Sequence, residues 1–124
     1  MTYDVVIVGA RCAGAPLATF LAREGARVLV VDRDRLPSDQ VLSTHTIHPP
    51  GMDVLDELGV GDDVRSEAPP ARTGRLRKGD AWADVTFAEG RAEYCPRRER
   101  LDALLQDAAR AAGAEIRDLS LIHI

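Results

Sequence analysis

The sequence predicts an α/β fold that opens with a strand–helix–strand unit. Three observations carry this. The β-branched run Tyr3 to Val8 ends at Gly9, a helical pattern follows over 13–24, and a second apolar run, Arg27 to Asp32, closes the unit. Short runs bounded by glycine read as buried strands, and a helical crossover between two strands makes them parallel.

The elements follow in order. Between Ala13 and Glu24, Leu17, Ala18, Leu21 and Ala22 fall at helical spacing. Pro16 fits there only because it lies in the first turn, where its missing N–H is not needed. Gly25 ends the helix. The stretch 33–50 is polar and proline-punctuated, longer than the ~12–15 residues beyond which a loop is usually functional or disordered. Gly51 to Leu58 reads as a short helix stopped by Gly59, with Val54, Leu55 and Leu58 on its apolar side. Residues 72–86 alternate weakly about Gly79-Asp80, a hairpin signal. Pro96 opens the strongest helical pattern, Arg97 to Ala112. There Leu101, Leu104, Leu105, Ala108 and Ala112 share one face, and Gly113 ends the pattern. Ala114 begins a third strand. The acids Asp53, Asp56, Glu57, Asp62 and Asp63 read as a solvated surface run.

With 124 residues, 45% hydrophobic and 29% charged, the chain suits one globular domain. A net charge of -4 argues against a basic field for nucleic acid or an anionic membrane surface. Met1-Thr2-Tyr3-Asp4 is not a basic leader, and no apolar run approaches the ~20 residues of a membrane span. The two cysteines, Cys12 and Cys95, are too few for a disulfide framework and lack metal-ligand spacing. The expected setting is a soluble, reducing, cytoplasmic one, with no metal.

The informative string is Val8-Gly9-Ala10-Arg11-Cys12-Ala13-Gly14. It stands after a strand and at the mouth of a helix, where a dinucleotide fingerprint G-x-G-x-x-G must stand. In that motif the first glycine makes the tight turn, the middle one lets a pyrophosphate approach the backbone, and the last lets helix and strand pack closely. Gly9 and Gly14 fill the outer positions, and Arg11 replaces the middle glycine. A side chain there either crowds the phosphates or swings outward and pairs with them. The helix amino terminus offers free N–H groups and a positive dipole end in both cases. Asp32 ends the second strand eighteen residues past Gly14. A carboxylate there accepts from the adenosine ribose hydroxyls and disfavours a 2′-phosphate. Cys12 sits where a helix terminus lowers a thiol's pKa; the favoured reading is a small residue packed inside the turn.

Arg97, Arg98 and Arg100 crowd the first turn of the second strong helix, against its macrodipole. They suit an anion opposite them, or pair with nearby acids such as Glu99 and Asp102.

The glycine turn, the VLVVDR strand end and the string PRRERLDALLQDAARAAGAEIR together resemble the amino-terminal part of FAD-dependent monooxygenases. That family includes the hydroxylases of the p-hydroxybenzoate hydroxylase type and the geranylgeranyl reductase-like proteins. The resemblance covers 3–118, with 61–93 the vaguest stretch. It implies a Rossmann-like FAD-binding domain, incomplete here, with a small β-hairpin insertion. It implies that the turn Gly9, Ala10, Arg11, Cys12, Ala13 and Gly14 meets the FAD pyrophosphate, that Asp32 holds the adenosine ribose and that Arg33 lies on the adenine side. Arg98 matches the arginine facing the phosphate and ribityl side, and Thr44 and His45, in the loop Leu42 to Gly51, match flavin-side contacts. His45 and His48 are otherwise surface residues without an identifiable acid partner, so no catalytic residue is assigned.

The activity implied for the parent protein is that of an FAD-dependent oxidoreductase, first a monooxygenase and second a reductase, with NAD(P)H as electron donor and a small organic substrate. A nicotinamide-dinucleotide module without chemistry of its own is the alternative. Gly79-Asp80 lacks the surroundings of the family's second Gly-Asp motif. Leu119 to Ile124 does not continue the family pattern and resembles translated sequencing-adaptor DNA. The expectation is therefore a partial, inactive FAD-binding domain over 1–118, followed by a non-native tail over 119–124.

Overall fold

The computed structural model describes residues 1–120; residues 121–124, most of the stretch read as foreign, lie outside the described residues. Strand β1 (Val5–Val8), helix α1 (Gly14–Arg23) and strand β2 (Val28–Val31) form the expected unit. The two strands pair in parallel, Val5 against Val28 through Val8 against Val31. Helices α2 (Pro49–Leu58) and α3 (Gly61–Glu67) follow the long loop, and strands β3 (Thr73–Lys78) and β4 (Ala81–Thr86) form a separate antiparallel hairpin. Helix α4 (Arg98–Ala111) then leads to β5 (Glu115–Arg117), which pairs in parallel with β2, so the sheet order is β1-β2-β5.

Both crossovers run the same way across the sheet. With a common hand they place α1 and α4 on one face. That arrangement corrects the reading of β1 as a buried strand. Ile7 is buried toward the helices, whereas Val6 and Val8, on alternate positions, are 58% and 71% exposed. β2 lies between two strands, and its Val28, Leu29 and Val30 are all buried.

Two apolar clusters hold the layers. One joins Ile7, Val28 and Val30 of the sheet to Ala18 of α1 and Ala109 of α4. The other joins Met52, Leu55 and Leu58 of α2 to Val64 of α3 and to Leu101 and Leu105 of α4. Helix α2 ends where Gly59 takes a left-handed φ of 85°, and Arg23 donates to the carbonyls of Glu57 and Leu58 at its last turn, both at 2.9 Å.

Helix α3 was not foreseen. The acids Asp53, Asp56, Glu57, Asp62 and Asp63 are exposed as expected, and three of them form surface ion pairs: Asp56 and Asp62 accept from Arg65, and Asp53 accepts from Arg91. The hairpin has the anticipated turn: Lys78 pairs with Ala81 across Gly79-Asp80, and Gly79 has a φ of 59°. No helix among the described residues is long and apolar enough to cross a membrane.

Candidate functional site

The parallel strands β1 and β2 both end at the glycine turn, and each outer glycine is required for its own reason. Gly9 takes a φ of 103°, a region that L side chains rarely adopt. Gly14 is required by space: a Cβ there would lie 1.8 Å from the Gly9 carbonyl oxygen and 3.1 Å from Ile7 Cγ2. Helix and turn therefore touch backbone to backbone, as the last glycine of the fingerprint demands. Helix α1 starts at Gly14, and no side chain among the described residues caps its amino terminus. Its positive end is left facing the turn.

Asp32 is buried at the end of β2. Its Oδ2 accepts from the Ala10 N–H at 2.8 Å and its Oδ1 from the Asp34 N–H at 2.9 Å. Each carboxylate oxygen keeps a lone pair for another donor. Gly9, Arg11, Asp32, Arg33, Asp34 and Gln40 line a cleft of about 320 Å³ over the turn. The Arg33 side chain is 80% exposed at its rim, 3.8 Å from Asp34.

A larger cleft of about 460 Å³ lies on the other side of the turn. Cys12, Ser43, His45, Thr46, His48 and Arg98 line it, with the α2 and α4 leucines Leu55, Leu58, Leu101 and Leu105 as its apolar floor. The loop over it is pinned by Ile47, whose N–H donates to the Tyr94 carbonyl at 2.8 Å and whose carbonyl accepts from Tyr94 at 3.1 Å. His45 has a φ of 61°, and its Nδ1 lies 2.6 Å from the Ser43 carbonyl. Ser43 Oγ accepts from Arg98 at 3.3 Å. Thr44 is exposed and does not line this cleft. His48, read as having no acid partner, contacts the Glu93 carboxylate, a residue the sequence sets far away.

Between the two clefts stands Asp102, fully buried on α4. Its carboxylate accepts from Arg11 at 3.0 Å, from Arg98 at 3.2 Å and 3.3 Å, and from the Cys12 thiol at 3.2 Å. Gln106, one turn further along, donates to the Ala10 carbonyl at 2.9 Å. Sequence reasoning missed both as site residues. The available signal was a polar residue on each of two successive turns of an otherwise apolar face, beside Leu101 and Leu105.

Of the two readings offered for the arginines of α4, the structure shows ion pairs: Arg97 with Asp39, Arg98 with Asp102, and Arg100 with Glu67. Cys12 is open to solvent as a residue, but its sulfur turns inward to donate to the buried Asp102 carboxylate, and it is not an activated thiol. Desolvation of its sulfur, followed by the Asp102 charge, pushes the Cys12 pKa up to about 11.

Comparison with known proteins gives a consistent picture. Residues 2–121 match the FAD binding domain family. The chain is 34% identical over 119 residues to the 12-dehydrotetracycline 5-monooxygenase/anhydrotetracycline 6-monooxygenase of Streptomyces rimosus, covering 94% of this chain and 24% of that protein. It is 30% identical over 125 residues to a squalene epoxidase of Saccharomyces cerevisiae, covering 100% of this chain and 24% of that protein. Among solved structures, it superposes on the anhydrotetracycline hydroxylase of Streptomyces rimosus with a TM-score of 0.81 at 32% identity, over 95% of this chain and 24% of that one. A myxobacterial FAD-dependent chondrochloren halogenase gives a TM-score of 0.83 at 27% identity, over 94% and 28%. The chain spans between 10% and 24% of the length of these and other curated relatives.

Proposed function

The chain belongs to the FAD-binding domain family, and on that premise we propose that it grips the adenine half of FAD in a flavin-dependent monooxygenase. The observation that carries this reading is the bond from the Ala10 N–H to buried Asp32, which joins the glycine turn to the carboxylate at the end of β2. The residues fit the cofactor. The Gly9–Gly14 contact leaves no room for a Cβ, the front of α1 is uncapped, and Asp32 keeps acceptor capacity toward a ribose.

Gly9, Ala13 and Gly14 hold the pyrophosphate through the turn and the front of α1, Asp32 accepts from the ribose hydroxyls, and Arg33 flanks the adenine. Arg98 and the Ser43–His45 loop line the flavin side, with His45 a closer candidate than Thr44. FAD, when bound, supplies the redox chemistry, and the protein supplies position and electrostatics. The apolar floor of the larger cleft gives that side a wall of low polarity.

For the whole protein the reading is oxygenation of a small organic substrate with electrons from NAD(P)H, in the cytoplasm. The names of the monooxygenases to which the chain is 34% identical support the first part.

Titration of the purified chain with FAD tests the reading. We expect flavin fluorescence to quench to saturation, ADP to compete, and Asp32→Ala to weaken binding about tenfold, the scale of hydrogen bonds to a charged group. Absence of FAD binding sinks it. Binding of NAD in place of FAD would make the chain a nicotinamide-dinucleotide module.

A further inference from the structure

Arg11 occupies the position where the fingerprint has a glycine so that a pyrophosphate can approach the backbone. Its φ is not positive, so the backbone itself tolerates the residue, and what matters is where the guanidinium goes. It is tied at four points: the Ser38 carbonyl at 3.1 Å, Ser38 Oγ at 2.6 Å, Asp34 at 2.9 Å and Asp102 at 3.0 Å. These anchors differ in kind. The Asp34 side chain is 43% exposed, whereas that of Asp102 is 0% exposed. An ion pair open to water holds a side chain weakly, and a buried carboxylate is little screened.

Asp102 is also the counter-ion of Arg98. One buried negative charge therefore serves two guanidiniums, one from the turn and one from α4. Gln106 fixes α4 to the turn through the Ala10 carbonyl, so Asp102 cannot drift from Arg11.

We propose that Asp102 is a positioning residue for the cofactor: it parks the Arg11 guanidinium away from the amides at the front of α1, so that a side chain stands in the middle position without covering them. The proposal rests on the FAD reading. It also gives the departure at Arg11 a rule, since a fingerprint with arginine in the middle needs an acid on the facing helix to hold it.

The test measures FAD dissociation constants by fluorescence titration for the chain and for Asp102→Asn, Arg11→Gly and the double variant, with helix content checked by circular dichroism. Asp102→Asn is expected to weaken FAD binding by about tenfold to a hundredfold, the scale of a lost charge-assisted bond. In the Arg11→Gly background the same change is expected to cost about threefold or less, because no guanidinium remains to be held. Asp102→Glu, which keeps the charge, should recover part of the loss.

A second readout needs no cofactor. In a Cys95→Ser background, the pH profile of Cys12 alkylation should move down from about 11 when Asp102 is neutralised. Unchanged or tighter FAD binding by Asp102→Asn overturns the assignment, as does an equal loss in both backgrounds. Should Asp102→Asn lose its helix signal, Arg11→Gly alone decides: binding unchanged within about threefold supports the proposal, since a parked guanidinium neither covers nor holds the phosphates. Clearly tighter binding shows that it still crowds the site, and clearly weaker binding that it holds the phosphates itself; either overturns the assignment. A parent chain that fails to bind FAD defeats the FAD reading, an outcome separate from a parent that binds and an Asp102→Asn variant that binds equally.

Discussion

The layer built from α1, α4 and the parallel sheet differs from the β3–β4 hairpin in what holds each together. In β2 three of four residues are buried, while all twelve residues of the hairpin strands are exposed. The layer is held by burial. The hairpin is held by its turn and by pairs across its strands: Arg75 bonds Asp84 at 2.7 Å and 2.9 Å, and its guanidinium lies 4.3 Å from the centroid of the Trp82 ring. A glycine at the turn and a few cross-strand pairs set such a hairpin's register, but two strands alone are marginally stable in water. Damage to the layer should therefore reach the nucleotide site, and damage to the hairpin should not.

The largest effect is expected at Leu105. It is 2% exposed and packs among α2, α3 and α4, so Leu105→Ala removes buried methyl groups and leaves a cavity. A loss of about 2–5 kcal/mol follows, read as a lower urea midpoint of the whole transition. Because α4 also carries Arg98 and Asp102, FAD affinity should fall with it. A variant of unchanged midpoint would mean that the helices contribute no more to stability than the hairpin does.

Next comes Gly14→Ala. The new Cβ would lie 1.8 Å from the Gly9 carbonyl oxygen, and no rotamer can relieve a clash with backbone. The helix must move off the turn, at about 1–3 kcal/mol. Unlike Leu105→Ala, this change acts at the phosphate-facing turn itself, so it should lower FAD affinity more than its stability cost alone would. Comparing urea midpoints with FAD titrations for the two variants separates a general loss of packing from a local loss of site geometry.

How much of this was legible in the sequence depends on how far apart the interacting residues stand. The glycine turn, α1, β2, the Gly59 stop and the hairpin turn are set by neighbours within a few residues, and the sequence placed them. Even there, β1 was misjudged. Its β-branched residues suit a strand buried on both faces, but the side on which α1 and α4 pack is decided by the order of the strands, which local pattern does not contain. The site divides in the same way. Gly9, Gly14 and Asp32 were visible because a short motif fixes their spacing. Asp102 and Gln106 meet Arg11 and Ala10 across ninety residues or more, and His48 meets Glu93 across the α2–β4 segment. Helix α3 was hidden because it is only seven residues long and buries just Gly61 and Val64, too few apolar positions to show a helical period.

The smallest expected effect completes the contrast. Trp82 is the bulkiest side chain of the hairpin and is 61% exposed, so Trp82→Ala takes little apolar surface back into water. What it removes is the stack with Arg75, worth about 0.5–1 kcal/mol at an exposed site, and that sum is local to two strands. The global urea midpoint should shift by the equivalent of about 0.5 kcal/mol or less, as for other surface changes. Amide hydrogens of β3 and β4 should exchange faster, while those of α4 and β2 keep their protection. FAD affinity should be unaltered. If α4 amides lost protection together with those of the hairpin, the two regions would be one cooperative unit, and the exposure of Trp82 would have to be read as that of a residue coupled to the core through the strand ends at Thr73 and Thr86.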